Sequence, residues 1–597
     1  MLALLAASAA GASAPGAKLD PRLVSSLVTG APPAAVWVEF ADKGEQGPSD
    51  LAARLARAER DLTDKARARR ERAGLHPLVD YLDLPVEQGY VDALRAQGLD
   101  PHGVSRWFNG VAVFASGQAL ARLAALPFVS RVSPEELAPP RPPRLPESEA
   151  MIFLPDPAQT ASAGRTEVSY GQTATQLARL GVPAVHDSGY IGTGILICML
   201  DEGFNYYKKH SATRSLPIGP NVRDFVDGDL TVQDTVDTPQ YFEHGEWTLS
   251  VIGGKLPGIY IGPAFGANYM LGRTEDSGSE KPIEMVNWAR GAEWADSVGA
   301  DIISSSLGYS DFPDSCGGCY SLTYPMMDGH TSIVTRGAEF AAAKGILVVN
   351  SAGNSGGLGY PVDKISAPSD ANGDSVLCIA AVDSFGVRTS FSSLGPSYDR
   401  RIKPDLAAQG RRVLMADTNG DPNSYIRQNG TSFSCPLVAG LAACIMQARP
   451  TWPAPLIIRA LRATATQASH PDTLLGYGIP NGLAALRWTP DTVGVPGGGG
   501  LTFSMLGPNP LRSDGPDLAV RFGLAGNVAA ARGSVRAYDA SGRRVHTLWV
   551  GTLTPGQSLT ARWDGTDDRG RALSSGLYFL AFEAGSRRSV LRVASIR

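Results

Sequence analysis

A serine in a favourable position for nucleophilic chemistry lies in the stretch Asn429-Gly-Thr-Ser-Phe-Ser-Cys-Pro436. Gly430 permits a tight turn, and leucine or isoleucine at every fourth position from 437 to 445 predicts a buried helix directly after Ser432. Pro436 is expected in the first turn of that helix, where amide hydrogens have no helical partner. Free amides and the helix dipole favour negative charge that develops there during acyl transfer. Ser432 is therefore a candidate nucleophile, although most serines before apolar runs only cap a helix.

An acid and a base for that serine come earlier in the chain. The apolar run Ile195–Leu200 predicts a buried strand, and Asp201 follows directly at its carboxyl end, two residues before Gly203. His244 begins another apolar stretch, and an ordinary histidine pKa of about 6.5 suits proton transfer around neutrality. Single residues of these types are more often structural, because aspartates commonly close turns. Asp201 and His244 are candidates whose meaning depends on the residues around them.

Two further segments follow predicted strands. Asn354 lies in a glycine-rich turn after the apolar run Ile346–Val349, and Ser306-Leu307-Gly308 follows a run that ends at Ile303. The carboxyl ends of parallel strands meet at one edge of a sheet, so both segments are expected near Asp201. An asparagine in such a turn is otherwise ordinary. Asn354 therefore gains its meaning from the residues that accompany it.

The elements that must position these residues alternate along the chain from about Tyr170 to Trp488. Short apolar runs of the buried parallel-strand type are separated by helical stretches. The predicted strands are Ile195–Leu200, Asn268–Leu271, Asp301–Ser304, Ile346–Val349 and Val376–Val382, and the clearest helices are Glu284–Val298 and Ser332–Lys344. This alternation predicts an α/β fold with a doubly wound, mostly parallel sheet, whose functional sites gather beyond the carboxyl ends of the strands.

In this setting the motifs resemble those of the subtilisin-like serine proteases, the subtilases. Gly-Thr-Ser-x-x-x-Pro around Ser432 resembles their nucleophile motif, Asp-x-Gly at Asp201 resembles their acid motif, and the order Asp, His, Ser is theirs. The resemblance implies a serine endopeptidase that cleaves proteins or peptides through an acyl-enzyme, with His244 as base. It also implies that Asn354 and the Ser432 backbone amide bind the oxyanion. Ser306, Leu307 and Gly308 would pair with the substrate backbone.

Three residues depart from the subtilase pattern. Glu246 and Trp247 stand where threonine and histidine are common, and Glu202 is an unusual acid beside Asp201. A carboxylate that faces the imidazole would favour its charged form and move the pH optimum upward. The alternative function is a catalytically degenerate subtilase that serves as a surface binding protein. An esterase fits poorly, since a Gly-x-Ser-x-Gly elbow would place the serine before the acid and the base.

Regions before the α/β segment suggest export and maturation. Residues 1–17 are apolar and small, as in a signal peptide, although the usual basic start is missing, and a disordered alanine-rich leader is the alternative. Residues 30–138 predict a small α+β domain with one charged helical stretch over 49–72. The proline-rich linker 139–169 follows. This arrangement resembles a subtilase propeptide, which implies a folding chaperone and inhibitor; an accessory domain is the other interpretation.

The carboxyl-terminal part is a separate module. The catalytic segment, taken as 170–488, is followed by a glycine-rich linker at 489–500. Residues 501–597 contain short alternating runs between Asp/Gly turns, which predict a β-sandwich. The strings Trp563-Asp-Gly and Ser575-Gly-Leu-Tyr resemble the immunoglobulin-like module of flagellar hook-capping proteins, and similar modules include type IX sorting signals. A contact with secretion machinery and a passive sandwich both remain open.

Composition narrows the function class. The chain has 597 residues, a net charge of -4 and no evident basic stripe, so nucleic-acid binding is not expected. Beyond the first residues, no run reaches the about 18 apolar residues of a membrane span, so a secreted or cell-surface protein is expected. Four of the six cysteines lie in apolar contexts, and Cys316-Gly-Gly-Cys319 suggests a local disulfide.

No metal or other cofactor is needed for the chemistry that the motifs imply. Subtilases often bind structural calcium, and three groups of acidic residues could supply oxygen ligands. They are Asp370 to Asp374, Asp417 to Asp421, and the set Asp224, Asp227 and Asp229. Turns rich in Asp, Asn and Gly are the favoured interpretation of all three, because none completes an acidic calcium loop.

Overall fold

The computed structural model describes most of the chain in two compact units, one up to Trp488 and the other from Leu501. The described residues are 18–27, 33–75, 77–135, 168–233, 243–312, 321–371, 376–489, 501–505, 511–512, 517–524, 529–539, 543–573, 576–585 and 587–596. The predicted signal peptide, the pair Cys316 and Cys319, and Asp374 lie outside these ranges.

The first unit begins with a small α+β domain. Its antiparallel sheet has the order β2-β3-β1-β4 and packs against helices. The elements are β1 Ala34–Phe40, α1 Pro48–Arg60, α2 Asp64–Arg72, α3 Gln88–Arg95, β2 Gly103–Ser105, β3 Gly110–Ala115, α4 Gly117–Ala125 and β4 Val129–Pro134. The single helical stretch expected over 49–72 is wrong: Thr63 starts a second helix by accepting the Ala66 N–H.

A seven-stranded sheet forms the centre of the first unit, and all its neighbouring strands are parallel. Its order is β13-β12-β11-β10-β5-β9-β6, beside two small hairpins, β7–β8 and β14–β15. The strands are β5 Leu196–Asp201, β6 Val222–Asp224, β7 Lys255–Leu256, β8 Tyr260–Ile261, β9 Asn268–Arg273, β10 Ile302–Ser305, β11 Leu347–Ser351, β12 Val376–Val382, β13 Leu406–Gln409, β14 Val413–Ala416 and β15 Tyr425–Gln428.

Helices cover both faces of this sheet. They are α5 Ala174–Ala178, α6 Val182–Asp187, α7 His244–Gly253, α8 Ile283–Val298, α9 Ile333–Ala343, α10 Thr431–Ala448, α11 Ala454–Ala463 and α12 Gly482–Arg487. Residues of α7 and α10 share one apolar core with the sheet, and those of α8 and α9 share a second. The predicted doubly wound α/β fold is confirmed. Within the described ranges α10 alone is long and apolar enough to cross a membrane, but 89% of it is buried in the protein.

The second unit is built from antiparallel strands in two sheets. One sheet has the order β16-β18-β21 and the other β17-β23-β22-β19-β20, with β17 parallel to β23. The strands are β16 Leu501–Met505, β17 Leu511–Arg512, β18 Leu518–Leu524, β19 Ala531–Asp539, β20 Arg544–Leu553, β21 Ser558–Trp563, β22 Gly576–Ala584 and β23 Arg587–Ile596. Phe522 of one sheet packs on Phe582 of the other at 5.3 Å between ring centroids, as expected for a β-sandwich.

Candidate active site

Asp201 and His244 meet at the carboxyl edge of the parallel sheet. Asp201 ends β5 and is buried, and its Oδ1 lies 2.6 Å from His244 Nδ1. Its other oxygen accepts the Thr248 hydroxyl at 2.9 Å. The carboxylate is therefore held at both oxygens. It orients the imidazole so that Nε2 is left to serve a nucleophile.

Two motif glycines allow this close approach of strand and helix. His244 is the first residue of α7, and a Cβ placed on Gly245 would lie 2.1 Å from the Gly203 carbonyl oxygen. Gly203 itself has a φ of 149°, in the region that favours glycine. The free backbone N–H of His244 donates to Glu202 Oε1 at 3.0 Å. Glu202 thus satisfies one of the helix's unpaired amides.

The electrostatics of the site favour a protonated His244. Burial alone lowers the pKa of His244, but the charge of Asp201 and its hydrogen bond raise it, and Glu202 and Glu275 raise it further. The net result is a pKa of about 9. The imidazole therefore becomes a free base only at alkaline pH in the absence of substrate.

The two departures on α7 lie away from the imidazole's hydrogen bonds. Glu246 is fully buried and accepts the Thr213 hydroxyl at 2.7 Å, and burial raises its pKa well above the usual range. Trp247 packs edge-on near His244, with ring centroids 6.3 Å apart. A neutral Glu246 is a buried structural acid, whereas Glu202 is the added carboxylate that contacts His244.

Ser432 is the second residue of α10 and lies beside the end of β10. Its hydroxyl donates to the Ser306 carbonyl oxygen at 3.3 Å, and the Ser306 hydroxyl donates back to the Ser432 carbonyl at 2.7 Å. The adjacent Phe433 ring lies 5.9 Å from the His244 ring, which brings the serine to the same edge as the histidine. Pro436 lies inside the helix, so the expectation of a first-turn proline is wrong.

Asn354 is held next to Ser432. It follows β11, and its Oδ1 accepts both the backbone N–H of Thr431 at 2.9 Å and the Thr431 hydroxyl at 3.0 Å. With the oxygen engaged in this way, the amide nitrogen Nδ2 remains as a donor. Thr431 immediately precedes Ser432, so that donor lies near the position where an oxyanion would form.

Ser306, Leu307 and Gly308 extend from β10 along the same edge. The Leu307 carbonyl accepts the Asn350 side-chain amide at 2.9 Å, and Gly308 is exposed. A Cβ on Gly308 would lie 2.3 Å from the Ser366 hydroxyl, so a larger residue would displace that neighbour. The segment is thus anchored at its start and open at its end.

The acidic residues considered for calcium are already engaged in protein contacts. Arg273 Nη1 contacts Asp224 at 2.7 Å and Asp227 at 2.5 Å. Asp370 accepts hydrogen bonds from the Thr335 hydroxyl and from a backbone amide, and Asp417 accepts within its own turn. In the part of the chain that the structure describes, no group of three His, Cys, Asp or Glu side chains is arranged to hold a metal.

Comparison with known proteins shows which family the domain that carries these residues resembles. Residues 192–478 match the model of the Subtilase family, Peptidase S8. This domain is a subtilase. The chain is 27% identical over 318 residues to Subtilisin Savinase of Lederbergia lenta, which covers 52% of this chain and 97% of that protein. It is 28% identical over 314 residues to Subtilisin of Bacillus pumilus, which covers 52% of this chain and 98% of that protein.

The subtilase match confirms the predicted activity class, a serine endopeptidase that needs no cofactor for its chemistry. Residues 35–148 match the Peptidase S8 propeptide domain of Bacteroidota, and residues 512–587 match the FlgD Ig-like domain. Among solved structures, MycP1 with its N-terminal propeptide removed aligns at a TM-score of 0.40 and 22% identity, over 53% of this chain and 98% of that one. The propeptide match supports a propeptide that inhibits the subtilase domain, and the subtilase match supports proteins or peptides as its substrates.

Sequence reasoning did not single out three residues that the fold brings to the subtilase site. Thr248 supports Asp201, Thr431 fixes Asn354, and Glu275 acts on His244 through its charge. Thr248 could have been found, because it lies four residues after His244 and thus on the same helix face. Glu275 carries no comparable local signal.

Proposed function

We propose that Asp201, His244 and Ser432 form the catalytic triad of this endopeptidase. Ser432 attacks the peptide carbonyl, His244 Nε2 accepts the hydroxyl proton and later gives it to the leaving amine, and Asp201 holds the imidazole. The hydrogen bond of 2.6 Å between Asp201 and His244, at the edge where α10 presents Ser432, is the observation that carries this proposal. In free protein the serine hydroxyl rests on Ser306. Substrate binding would require it to turn toward His244.

The oxyanion of the tetrahedral intermediate is bound by Asn354 Nδ2 and the Ser432 backbone N–H. The position of Asn354 beside Thr431 supports this role, because its oxygen is already satisfied and only the donor remains. Loss of one such donor costs about 2.7–4 kcal/mol of transition-state stabilisation, a value measured in subtilisin. Ser306, Leu307 and Gly308 bind the substrate backbone as an added strand.

The domain arrangement is that of an exported zymogen. Residues 1–17 are the signal peptide, 30–138 the propeptide, 139–169 the linker that is cut on maturation, 170–488 the catalytic domain, 489–500 a flexible linker and 501–597 the sandwich. The mature protein is secreted or held at the cell surface, and the sandwich serves either as a contact for secretion machinery or as a passive module. Structural calcium, where present, supplies no step of the reaction.

A comparison of the full chain with Ser432→Ala and Ser434→Ala tests the triad and the maturation together. Ser434 is a neighbouring buried serine whose hydroxyl donates to the Ala408 carbonyl, so its variant controls for packing. The parent and Ser434→Ala should digest casein and lose mass up to the 139–169 linker. Ser432→Ala should do neither. A parent that stays full length and inert across pH and calcium concentrations would favour the degenerate binding protein instead.

A further inference from the structure

Two carboxylates beside His244 have no role in the proposed reaction. Glu202 follows Asp201, and its Oε1 accepts the backbone N–H of His244 at 3.0 Å. Glu275 lies just beyond β9, next to Thr274, whose backbone N–H donates to the Asp201 carbonyl at 2.9 Å. Both side chains are half-buried, and both raise the pKa of His244 through their charge. They therefore lie on the β5–β9 side of the imidazole.

Each of these carboxylates keeps one oxygen without a protein partner. Glu275 Oε1 accepts the Tyr309 hydroxyl at 2.5 Å and the Thr274 hydroxyl at 3.0 Å. Across the described ranges, neither Glu275 Oε2 nor Glu202 Oε2 has a hydrogen bond, and neither carboxylate forms an ion pair with lysine or arginine. Burial raises the pKa of Glu275 to about 8 and also raises that of Glu202. A cation from outside would relieve both.

The strand order indicates which substrate residue meets these carboxylates. Asn354 follows β11, Ser306 follows β10, Asp201 ends β5 and Glu275 follows β9, and these four strands are neighbours in that order. An extended substrate turns successive side chains to opposite sides. In the proposed complex we place the residue whose carbonyl is attacked, P1, by Asn354, with its side chain turned to the β11 side. The preceding residue, P2, then turns its side chain to the β5–β9 side.

We propose that Glu202 and Glu275 receive a lysine or arginine side chain at P2 of the substrate. The inference rests on the proposed catalytic function and names its substrate class, polypeptides with a basic residue one position before the residue at the cleaved bond. An uncharged P2 side chain leaves two half-buried carboxylates unpaired, and an acidic one faces like charge. Tyr309 links Glu275 to the substrate-binding segment, because it directly follows Gly308 and its hydroxyl donates to Glu275 Oε1.

The proposal is tested with two fluorogenic peptides that differ only at P2, where one has lysine and the other its uncharged analogue norleucine. The enzyme is expressed as the full chain and used after its propeptide has been removed, at one pH. The parent should cleave the lysine peptide with a kcat/KM at least about tenfold higher. Glu275→Gln keeps an acceptor for Tyr309 and should reduce this ratio severalfold, as should Glu202→Gln. Asp276→Asn is the matched control, because Asp276 accepts hydrogen bonds within its own turn, and its ratio should equal that of the parent.

The same His244 acts on both peptides. Any change in its pKa therefore alters the two kcat/KM values equally and leaves their ratio unchanged. A parent that digests casein but cleaves the two peptides equally overturns the inference and leaves the proposed function standing. An equal fall for both peptides in Glu275→Gln, with the ratio unchanged, also overturns it, because Glu275 would then act on His244 alone. A parent inert toward casein and both peptides removes the proposed function and this inference together.

Discussion

Thr248 determines how firmly the Asp201 carboxylate is held. Its hydroxyl donates to Asp201 Oδ2 at 2.9 Å, while His244 Nδ1 lies 2.6 Å from Oδ1, so each oxygen has its own partner. Thr248 and His244 are four residues apart on α7, and one helix face therefore carries both groups. A carboxylate fixed at both oxygens keeps the imidazole in one orientation, which proton transfer from Ser432 requires.

Replacement of Thr248 by valine should lower kcat about tenfold or more, since losing a hydrogen bond to a charged group costs about 1.5–3 kcal/mol. Valine keeps the shape of threonine, so the far-UV circular dichroism spectrum should not change. Thr248→Ser restores the hydroxyl and should recover most of the rate of peptide hydrolysis. A serine variant as slow as the valine variant would show that the hydroxyl does not support Asp201.

The raised pKa of His244, about 9, predicts an alkaline protease. Below that pKa the imidazole is protonated and cannot take the Ser432 proton, so kcat/KM should rise about tenfold per pH unit up to about pH 9. Glu202→Gln removes a charge that favours the imidazolium, and the rising limb should move to lower pH. Glu246→Gln should leave the limb in place, because Glu246 is bonded to Thr213. Identical limbs for the parent and Glu202→Gln would refute this assignment.

Helix α10 is joined to the residue that follows β10, Ser306, by a hydrogen bond that replaces one lost to a proline. Pro436 has no N–H to offer the carbonyl of Ser432, four residues earlier in the helix. The Ser306 hydroxyl supplies the missing donor at 2.7 Å. Since Ser432 donates its own hydroxyl to the Ser306 carbonyl, the nucleophile is fixed to the end of β10 by two hydrogen bonds.

Ser306→Ala should lower the free energy of unfolding by about 1–3 kcal/mol, because it leaves the buried Ser432 carbonyl without a donor. Denaturant unfolding in the Ser432→Ala background, which cannot digest itself, measures this change. Adding Pro436→Ala restores a helical N–H for that carbonyl and should recover much of the loss. If the loss is the same with proline and with alanine at position 436, the proposed link between Pro436 and Ser306 is wrong.

The strands of the central sheet could be predicted because a parallel sheet covered on both faces needs apolar residues at successive positions. The run Val376–Val382 has the same bounds in prediction and structure. Strand β9 instead continues past the predicted end, Leu271, to Arg273. An arginine is compatible with that buried position because Asp224 and Asp227 pair with it. Such a pairing depends on the folded chain and has no signal in a local pattern.

The residues of the candidate site likewise divide into those that a local sequence pattern indicates and those that only the folded chain brings together. The candidates Asp201, His244, Asn354 and Ser432 each lie at an end of a predicted element, where motif and position could be read together. Glu275 depends on the meeting of β9 with the segment after β10, which only the folded sheet defines. The charged stretch over 49–72 likewise indicated helix and nothing of its partners, whereas Arg69 and Arg70 in it bind Asp296, more than 220 residues away.

Across the first unit, the propeptide domain is joined to the subtilase domain through buried charges. Arg69 is fully buried, and its guanidinium donates to the carbonyls of Lys344 at 3.0 Å and Ala300 at 2.7 Å, just past the ends of α9 and α8. Arg70 donates to both oxygens of Asp296, at 2.9 and 2.7 Å. Two adjacent arginines therefore bind the carboxyl ends of two helices and a carboxylate in the last turn of α8.

Release of the propeptide would break these contacts and leave the Asp296 carboxylate without its arginine partners. Burial alone would raise the pKa of Asp296, but Arg69 and Arg70 hold it below its usual range. Without the propeptide that carboxylate must exchange three guanidinium groups, those of Arg69, Arg70 and Arg106, for water. Trp107 and Phe108 would also leave the ring of Phe340 on α9, which they contact with centroid distances of 6.0 and 5.3 Å. Both polar and apolar contacts thus favour the joined form.

Arg70→Met in the Ser432→Ala background should destabilise the full chain by about 3–5 kcal/mol, since it removes one partner of a buried ion pair. Arg57→Met is the matched control: Arg57 pairs with Asp61 at 3.7 Å, and their side chains are 79% and 70% exposed, so the loss should stay below about 1 kcal/mol. Denaturant unfolding followed by tryptophan fluorescence measures both, and Trp107 reports on the interface itself. Equal stabilities for the two variants would mean that the buried arginine pair does not hold the propeptide to the subtilase domain.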